Sequence, residues 1–196
     1  MRVRVCTFSF ALALALFSGS AVAEQPRIPD TSVLDQDGRR LSFYSDLVKG
    51  HTVAINFIFT TCATVCPMLT ANFRQVQKEL GDNARDVRLI SVSVDPAVDT
   101  PARLKHFADE YHAAPGWSFI TGDKTEIDRL LSALGVPVQN KLEHTSAVLV
   151  GNDVSGHWQR VSGAASSSVI LHTVEEAVAT QQESPAAAKW PRISRT

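Results

Sequence analysis

The stretch TVAINFIFTTCATVCPML, residues 52–69, decides the fold. Its first half, Thr52 to Thr60, is β-branched and aromatic at both odd and even positions, which is typical of a central strand covered on both faces. Two cysteines, Cys62 and Cys66, come next. The apolar residues that follow recur at steps of four, three and four: Leu69, Phe73, Val76 and Leu80. The sequence therefore predicts a buried strand, a pair of cysteines and an amphipathic helix in that order.

Strand and helix patterns alternate on either side of this stretch. Before it, residues 33–43 carry Asp37-Gly38 between two short runs, which predicts a hairpin. After it, Thr100-Pro101 is typical of a helix start. The remaining predicted elements are a strand at 87–94, helices at 100–111, 124–134 and 167–179, and paired strands at 146–150 and 157–161. This order predicts an α/β fold, with a mixed central sheet, helices on both faces and an N-terminal β-hairpin.

The first 23 residues have the pattern of a secretory signal. Arg2 and Arg4 precede an apolar stretch from Phe8 to Phe17, and Ala21-Val22-Ala23 supplies small residues before a cut at Glu24. No later segment approaches the roughly 20 apolar residues of a spanning helix. We therefore expect an exported, soluble, periplasmic or otherwise extracytoplasmic product with one domain over residues 24–183. Residues 184–196 have no apolar period, and we expect them to be a flexible tail.

Composition excludes several classes of protein. The chain has 196 residues and is 44% hydrophobic, which is enough for one buried core and excludes a disordered protein. Its 19 basic and 20 acidic residues give a net charge of -1, so nucleic acid is not an expected partner. Three cysteines are too few for a disulfide scaffold, and Cys6 lies within the signal segment.

Two kinds of chemistry fit Cys62 and Cys66. Residues four apart on a helix share a face at about 6 Å, which is within disulfide range. Unpaired amides at a helix start also favour thiolate over thiol, which improves a nucleophile and a metal ligand alike. A redox pair and a soft-metal site both fit this spacing, and a structural disulfide is the remaining alternative.

A third metal ligand has to come from elsewhere in the chain. Of the six histidines, His144 stands in the turn just before the strand predicted at 146–150. In a thioredoxin-type sheet, a central strand starting there brings His144 close to the cysteine loop. The other histidines lie at a strand entrance, past the hairpin turn or on predicted helices, where a surface position is the simpler interpretation.

Four blocks in order resemble the Sco/SenC family, exported thioredoxin-like proteins associated with copper delivery to cytochrome c oxidase. The blocks are FIFTTCATVCPML, VSVDPAVDTPARLKHFADEY, Trp117 with SFITGD, and LEHTSAVLV. The resemblance implies that Cys62, Cys66 and His144 are the copper ligands, and that Asp95 supports the site without binding copper. Two thiolates and an imidazole suit Cu(I) and, with an added oxygen ligand, Cu(II).

Three functional hypotheses follow. The first is a copper-binding chaperone whose partner is the copper-bearing subunit of cytochrome c oxidase or another copper protein. The second is a thiol-disulfide reductase that uses Cys62 and Cys66 as a redox-active pair, with a thioredoxin-like protein as its own reductant. The third is a thiol peroxidase in which Cys66 attacks peroxide, although the sequence has no obvious arginine beside the cysteine loop.

Overall fold

The computed structural model describes residues 27–62, 65–81, 86–137 and 147–183. The predicted signal segment and the predicted tail lie outside these ranges. The strands are β1 (Ser32–Asp35), β2 (Arg40–Ser42), β3 (Thr52–Ile58), β4 (Val87–Ser93), β5 (Trp117–Thr121), β6 (Ala147–Asn152) and β7 (His157–Ser162). The helices are a short π-helix (Phe43–Val48), α1 (Val65–Leu80), α2 (Pro101–Glu110), α3 (Lys124–Ala133) and α4 (Ser167–Glu183).

The strands form one mixed sheet in the order β2-β1-β5-β4-β3-β6-β7. β3 pairs in parallel with β4 and antiparallel with β6, and β4 pairs in parallel with β5. All seven residues of β3 are buried, as its apolar run on both parities predicts. The predicted hairpin is confirmed, since β1 and β2 pair antiparallel through a turn in which Gly38 has a φ of 77°.

Helices cover both faces of the sheet, as predicted. On one face, Ala54 and Ile58 of β3 pack with apolar residues of α1, α2 and α4. On the other, Val53, Ile55 and Phe57 pack with the π-helix and α3. The π-helix and β5 are additions to the predicted element order. No helix among the described residues is long and apolar enough to cross a membrane.

The predicted helix start at Thr100-Pro101 is confirmed. Thr100 accepts a hydrogen bond from the Arg103 N–H and Pro101 occupies the first turn of α2. Because β4 ends at Ser93, the seven residues from Val94 to Thr100 connect the end of this central strand to α2. This connection lies at the edge of the sheet where β3 also ends.

Two side chains of the outer strand β7 contact neighbouring parts of the fold. The Arg160 guanidinium donates to the Leu134 carbonyl, just after α3, at 2.9 Å. The Trp158 ring lies over Gly151 of β6, where a Cβ atom would come within 2.1 Å of the ring. Any side chain at position 151 would therefore clash with the Trp158 ring, so the pairing of β6 with β7 requires glycine there.

Candidate metal centre

The two cysteines flank the beginning of α1. After β3 ends at Ile58, the chain turns, and the Cys62 N–H donates to the Phe59 carbonyl at 3.1 Å. Helix α1 begins at Val65, so Cys66 lies in its first turn and Cys62 precedes it. The expectation that both cysteines share a helical face is therefore wrong. Their predicted location at the end of the first central strand is correct.

The two thiols differ in exposure. Cys66 is 1% exposed and packs in the core, whereas Cys62 is half-buried. No disulfide joins them, and their side chains hydrogen-bond to each other. The pair therefore presents one sulfur towards solvent and the other towards the protein interior.

Burial controls the chemistry of the inner thiol. Desolvation raises the pKa of Cys66 to about 12, the hydrogen bond with Cys62 acts in the same direction, and a hydrogen bond from the Phe59 backbone opposes both. The expected preference for thiolate is wrong for Cys66, because desolvation outweighs the favourable field of the helix start. Cys66 therefore stays protonated at neutral pH unless a metal ion takes the place of the proton.

A buried carboxylate, Asp99, holds the turn that leads to Cys62. Its Oδ1 accepts from the Thr60 hydroxyl at 2.6 Å and from the Thr60 N–H at 3.1 Å, and its Oδ2 accepts from the Ser93 hydroxyl at 2.6 Å. Asp99 is 0% exposed, and these donors satisfy the charge that burial would otherwise penalise. The carboxylate thus ties the cysteine turn to the end of β4.

Asp95 was predicted from the sequence to support the site, whereas Asp99, four residues further along, was not. Asp95 is half-buried, its N–H donates to the Ser93 hydroxyl at 3.0 Å, and its carbonyl accepts from the Asp99 N–H at 2.9 Å. Asp95 therefore opens the turn that brings Asp99 inwards. The available signal for Asp99 was an acidic residue directly before Thr100, the N-cap residue of α2. The role expected for the Asp95 side chain stays a prediction.

An open groove of about 350 Å³ adjoins the cysteine turn. Its lining residues are Thr60, Arg103, His106, Phe107 and Glu110. The Arg103 Nε donates to the Thr60 hydroxyl at 3.4 Å, so an arginine does lie beside the cysteine loop, contrary to the sequence interpretation. Burial raises the pKa of Tyr111, the residue that follows α2, and the charge of the neighbouring Glu110 raises it further.

The complete ligand set proposed from sequence is not covered by the described residues, because His144 lies outside them. Within the described ranges no cluster of three or more histidine, cysteine or acidic side chains could hold a metal ion. The described part of the site is therefore the pair Cys62 and Cys66, with Asp99 and Thr60 supporting the outer cysteine. Two soft sulfur donors next to each other form a partial site for a soft metal ion.

Several curated proteins share sequence with this chain, including one from Bacillus subtilis and one from Stutzerimonas stutzeri. The SCO1 protein homolog of Bacillus subtilis is 44% identical over 96 residues, covering 48% of this chain and 49% of that protein. A putative copper-binding protein of Stutzerimonas stutzeri is 32% identical over 127 residues, covering 63% of this chain and 60% of that protein. The chain thus spans about half to three fifths of the length of these relatives.

The fold is shared with BsSco, a member of the Sco family of cytochrome c oxidase assembly proteins in which a disulfide switch was identified. The two are 32% identical with a TM-score of 0.64, over 79% of this chain and 96% of the BsSco chain. The predicted thioredoxin-like α/β fold is confirmed by this likeness. The SCO1/SenC family pattern extends over residues 24–179, which include both cysteines, Asp95 and Asp99. This chain therefore belongs to the SCO1/SenC family.

Proposed function

We propose that this protein binds copper at Cys62, Cys66 and His144, and delivers it to the copper site of cytochrome c oxidase or of another copper enzyme. The observation that carries the proposal is the pair of thiols after the end of β3, in which the buried Cys66 hydrogen-bonds to the half-buried Cys62. One sulfur is accessible to an incoming ion and the other is already held in the protein, so capture needs little rearrangement. Copper is the cargo in this proposal, and the recipient is the copper-bearing subunit or another copper protein.

The donor set fits Cu(I) better than zinc. Two thiolates form a soft, low-coordinate shell that suits Cu(I), while a structural zinc site usually has four protein ligands. His144 would add an imidazole, which also makes the site compatible with Cu(II). The copper-binding name of the Stutzerimonas relative and the oxidase-assembly role named for BsSco support this choice of metal and pathway.

The proposed function includes a location outside the cytoplasm. Residues 1–23 would direct export and be removed, and residues 24–183 would form the working domain, followed by the tail at 184–196. Thiols outside the cytoplasm are exposed to oxidants, so the copper-loading form needs a reductant. We therefore include a thioredoxin-like reductase among the expected partners.

A thiol-disulfide reductase is the second candidate, and the difference in exposure between the cysteines favours it specifically. The half-buried Cys62 can attack the disulfide of a partner protein and form a mixed disulfide. The buried Cys66 can then attack this mixed disulfide and release the reduced partner. The peroxidase alternative is weaker despite the nearby arginine. A peroxidatic Cys66 needs an accessible thiolate, and burial raises the pKa of Cys66 to about 12.

Anaerobic Cu(I) titration against a coloured chelator tests the proposal. The reduced protein should take up one Cu(I) per chain, and Cys62→Ser or Cys66→Ser should each weaken binding by at least about tenfold, because one soft ligand is lost. Met68→Leu is the matched control, because Met68 is an exposed sulfur residue two positions after Cys66 and should not contribute. Equal Cu(I) affinity in the wild type and both serine variants would exclude these cysteines as ligands.

A further inference from the structure

Asp99 makes its contacts where two neighbouring strands end. Thr60, which follows β3, donates twice to the carboxylate, and Ser93, the last residue of β4, donates once. The Thr60 N–H also lies 3.3 Å from the second carboxylate oxygen. A fully buried carboxylate with three donors is a rigid anchor, because removing any donor leaves part of its charge without a partner.

The anchored residue belongs to the turn that determines where Cys62 lies. The turn runs from Phe59 to Cys62 and is closed by the Cys62 N–H donating to the Phe59 carbonyl at 3.1 Å. Thr60 is the second residue of this turn, so both its backbone and its side chain are held by Asp99. Fixing Thr60 therefore restricts the backbone that leads into Cys62.

Cys66 is fixed by different contacts. It lies in the first turn of α1 and is 1% exposed, and its carbonyl accepts from the Thr70 hydroxyl at 2.7 Å. None of these contacts involves Asp99. The separation between the two sulfurs thus depends on two anchors, the core packing of α1 for Cys66 and the Asp99 carboxylate for Cys62. The turn and Cys66 also meet directly, because the Phe59 backbone hydrogen-bonds to the Cys66 thiol.

We infer that Asp99 is a positioning residue that acts through Thr60 to hold Cys62 next to Cys66. The position of Cys62 in turn determines how readily the pair forms a disulfide or binds copper. In closure, the two thiols lose two protons and two electrons and form one S–S bond, while a disulfide in the redox buffer gains them and becomes two thiols. A fixed turn raises the effective concentration of one thiol at the other. The copper part of this inference rests on the proposed function, and the disulfide part does not.

The test is the dithiol–disulfide equilibrium constant of the metal-free protein, measured in mixtures of reduced and oxidised dithiothreitol with thiol trapping. Asp99→Asn replaces one acceptor oxygen with a donor, and Thr60→Val removes the hydroxyl while keeping the side chain's shape. Each should lower the equilibrium constant for disulfide formation about fivefold or more, the scale of coupling between residues in direct contact. The double variant should lose little more than either single variant, because both changes break the same anchor.

Two further variants separate positioning from general destabilisation. Thr60→Ser restores the hydroxyl and should return the equilibrium constant towards the wild-type value. Asp35→Asn alters another buried carboxylate, which accepts from the Asp37 and Arg39 N–H groups in the N-terminal hairpin, and it should lower thermal stability while leaving the constant unchanged. If Asp99→Asn does not fold, Thr60→Val and Thr60→Ser still decide the question.

Two outcomes would overturn the inference. The first is that folded Asp99→Asn and Thr60→Val have the same equilibrium constant for disulfide formation as the wild type. The second is that Asp35→Asn lowers this constant as much as they do. Cu(I) titration of the same variants should show weaker binding in parallel with the disulfide constant. A wild-type protein that binds no Cu(I) would defeat the proposed function alone, since the metal-free equilibrium would still report on Asp99.

Discussion

Cys62 and Cys66 hydrogen-bond to each other, yet only Cys62 is partly exposed. Under the proposed function, an incoming copper ion or partner thiol would therefore meet Cys62 first. Cys66 would then bond from inside the protein, where desolvation keeps it protonated until a bond to metal or sulfur replaces the proton. This division of roles underlies the predictions that follow.

Oxidation should abolish copper binding. The same two sulfurs cannot form a disulfide and serve as thiolate ligands at once, so air-oxidised protein should take up no Cu(I) at Cys62 and Cys66. Thiol trapping before and after mild oxidation, followed by Cu(I) titration, checks this, and reduction should restore one copper per chain. Undiminished Cu(I) binding by the fully oxidised form would show that the ligand set is wrong.

Cu(I) affinity should rise with pH. Burial raises the pKa of Cys66 to about 12, so in the metal-free protein this thiol keeps its proton throughout the range from about pH 6 to 8, and copper must displace it. Each proton released makes binding about tenfold tighter per pH unit. Chelator competition across this range, corrected for protonation of the chelator, measures the slope. A flat profile would mean that binding does not displace the Cys66 proton.

His144→Ala separates the chaperone from the reductase. Loss of an imidazole ligand should remove the thiolate-to-Cu(II) charge-transfer band and weaken Cu(I) binding by at least about tenfold, which is the loss known even for residues that only support a metal ligand. Reduction of a disulfide substrate should be nearly unchanged, because thiol exchange depends on thiolate character and access. His157→Ala is a suitable control, since His157 is exposed on β7. Loss of reductase activity with intact copper binding would reverse the functional assignment.

Asp95→Asn should weaken copper retention and transfer without removing the Cu(II) charge-transfer band. A carboxylate at this edge of the sheet can orient a ligand or a nearby cation, and loss of such support typically costs about 10- to 100-fold in affinity. The backbone contacts of Asp95 survive the substitution, so the turn that carries Asp99 should persist. Unchanged copper retention and transfer would identify Asp95 as a turn-forming residue only.

Export should remove the first 23 residues. Mass spectrometry of protein from the periplasmic fraction should find Glu24 as the first residue, because the small residues Ala21 and Ala23 fit the cleavage positions. Replacing Ala23 with a bulky residue should slow processing and leave a heavier precursor. A retained Met1, or protein found only in the cytoplasm, would contradict the proposed location.

The sequence was sufficient for the elements whose patterns are local. β3 was predictable because apolar residues occupy both parities, and α2 because Thr100 and Pro101 mark its start. β5 (Trp117–Thr121) was not predicted as a strand, since five residues with one half-buried serine carry little periodic signal. Its pairing with β4 and β1 comes from tertiary structure.

The supporting contacts of the site were less accessible to sequence reasoning. The Asp99–Thr60 contact joins residues 39 positions apart, and neither spacing nor propensity encodes it. The Cys66 pKa shift was also missed, because helix position predicts a lower pKa whereas only packing reveals the desolvation that raises it. The location of the cysteine pair at the end of β3 was predictable, since two cysteines after a buried strand are a strong local signal, and their role as copper ligands stays a prediction.

The side-chain contacts of β7 affect the tendency of the protein to aggregate at high concentration. An outer strand exposes backbone groups on which a second copy can extend the sheet, and such growth leads to aggregation. Here Arg160 places a charge on that strand and binds the Leu134 carbonyl, while Trp158 is held against Gly151. These features oppose edge-to-edge growth, and Arg160→Val should increase light scattering during refolding without affecting the cysteine pair.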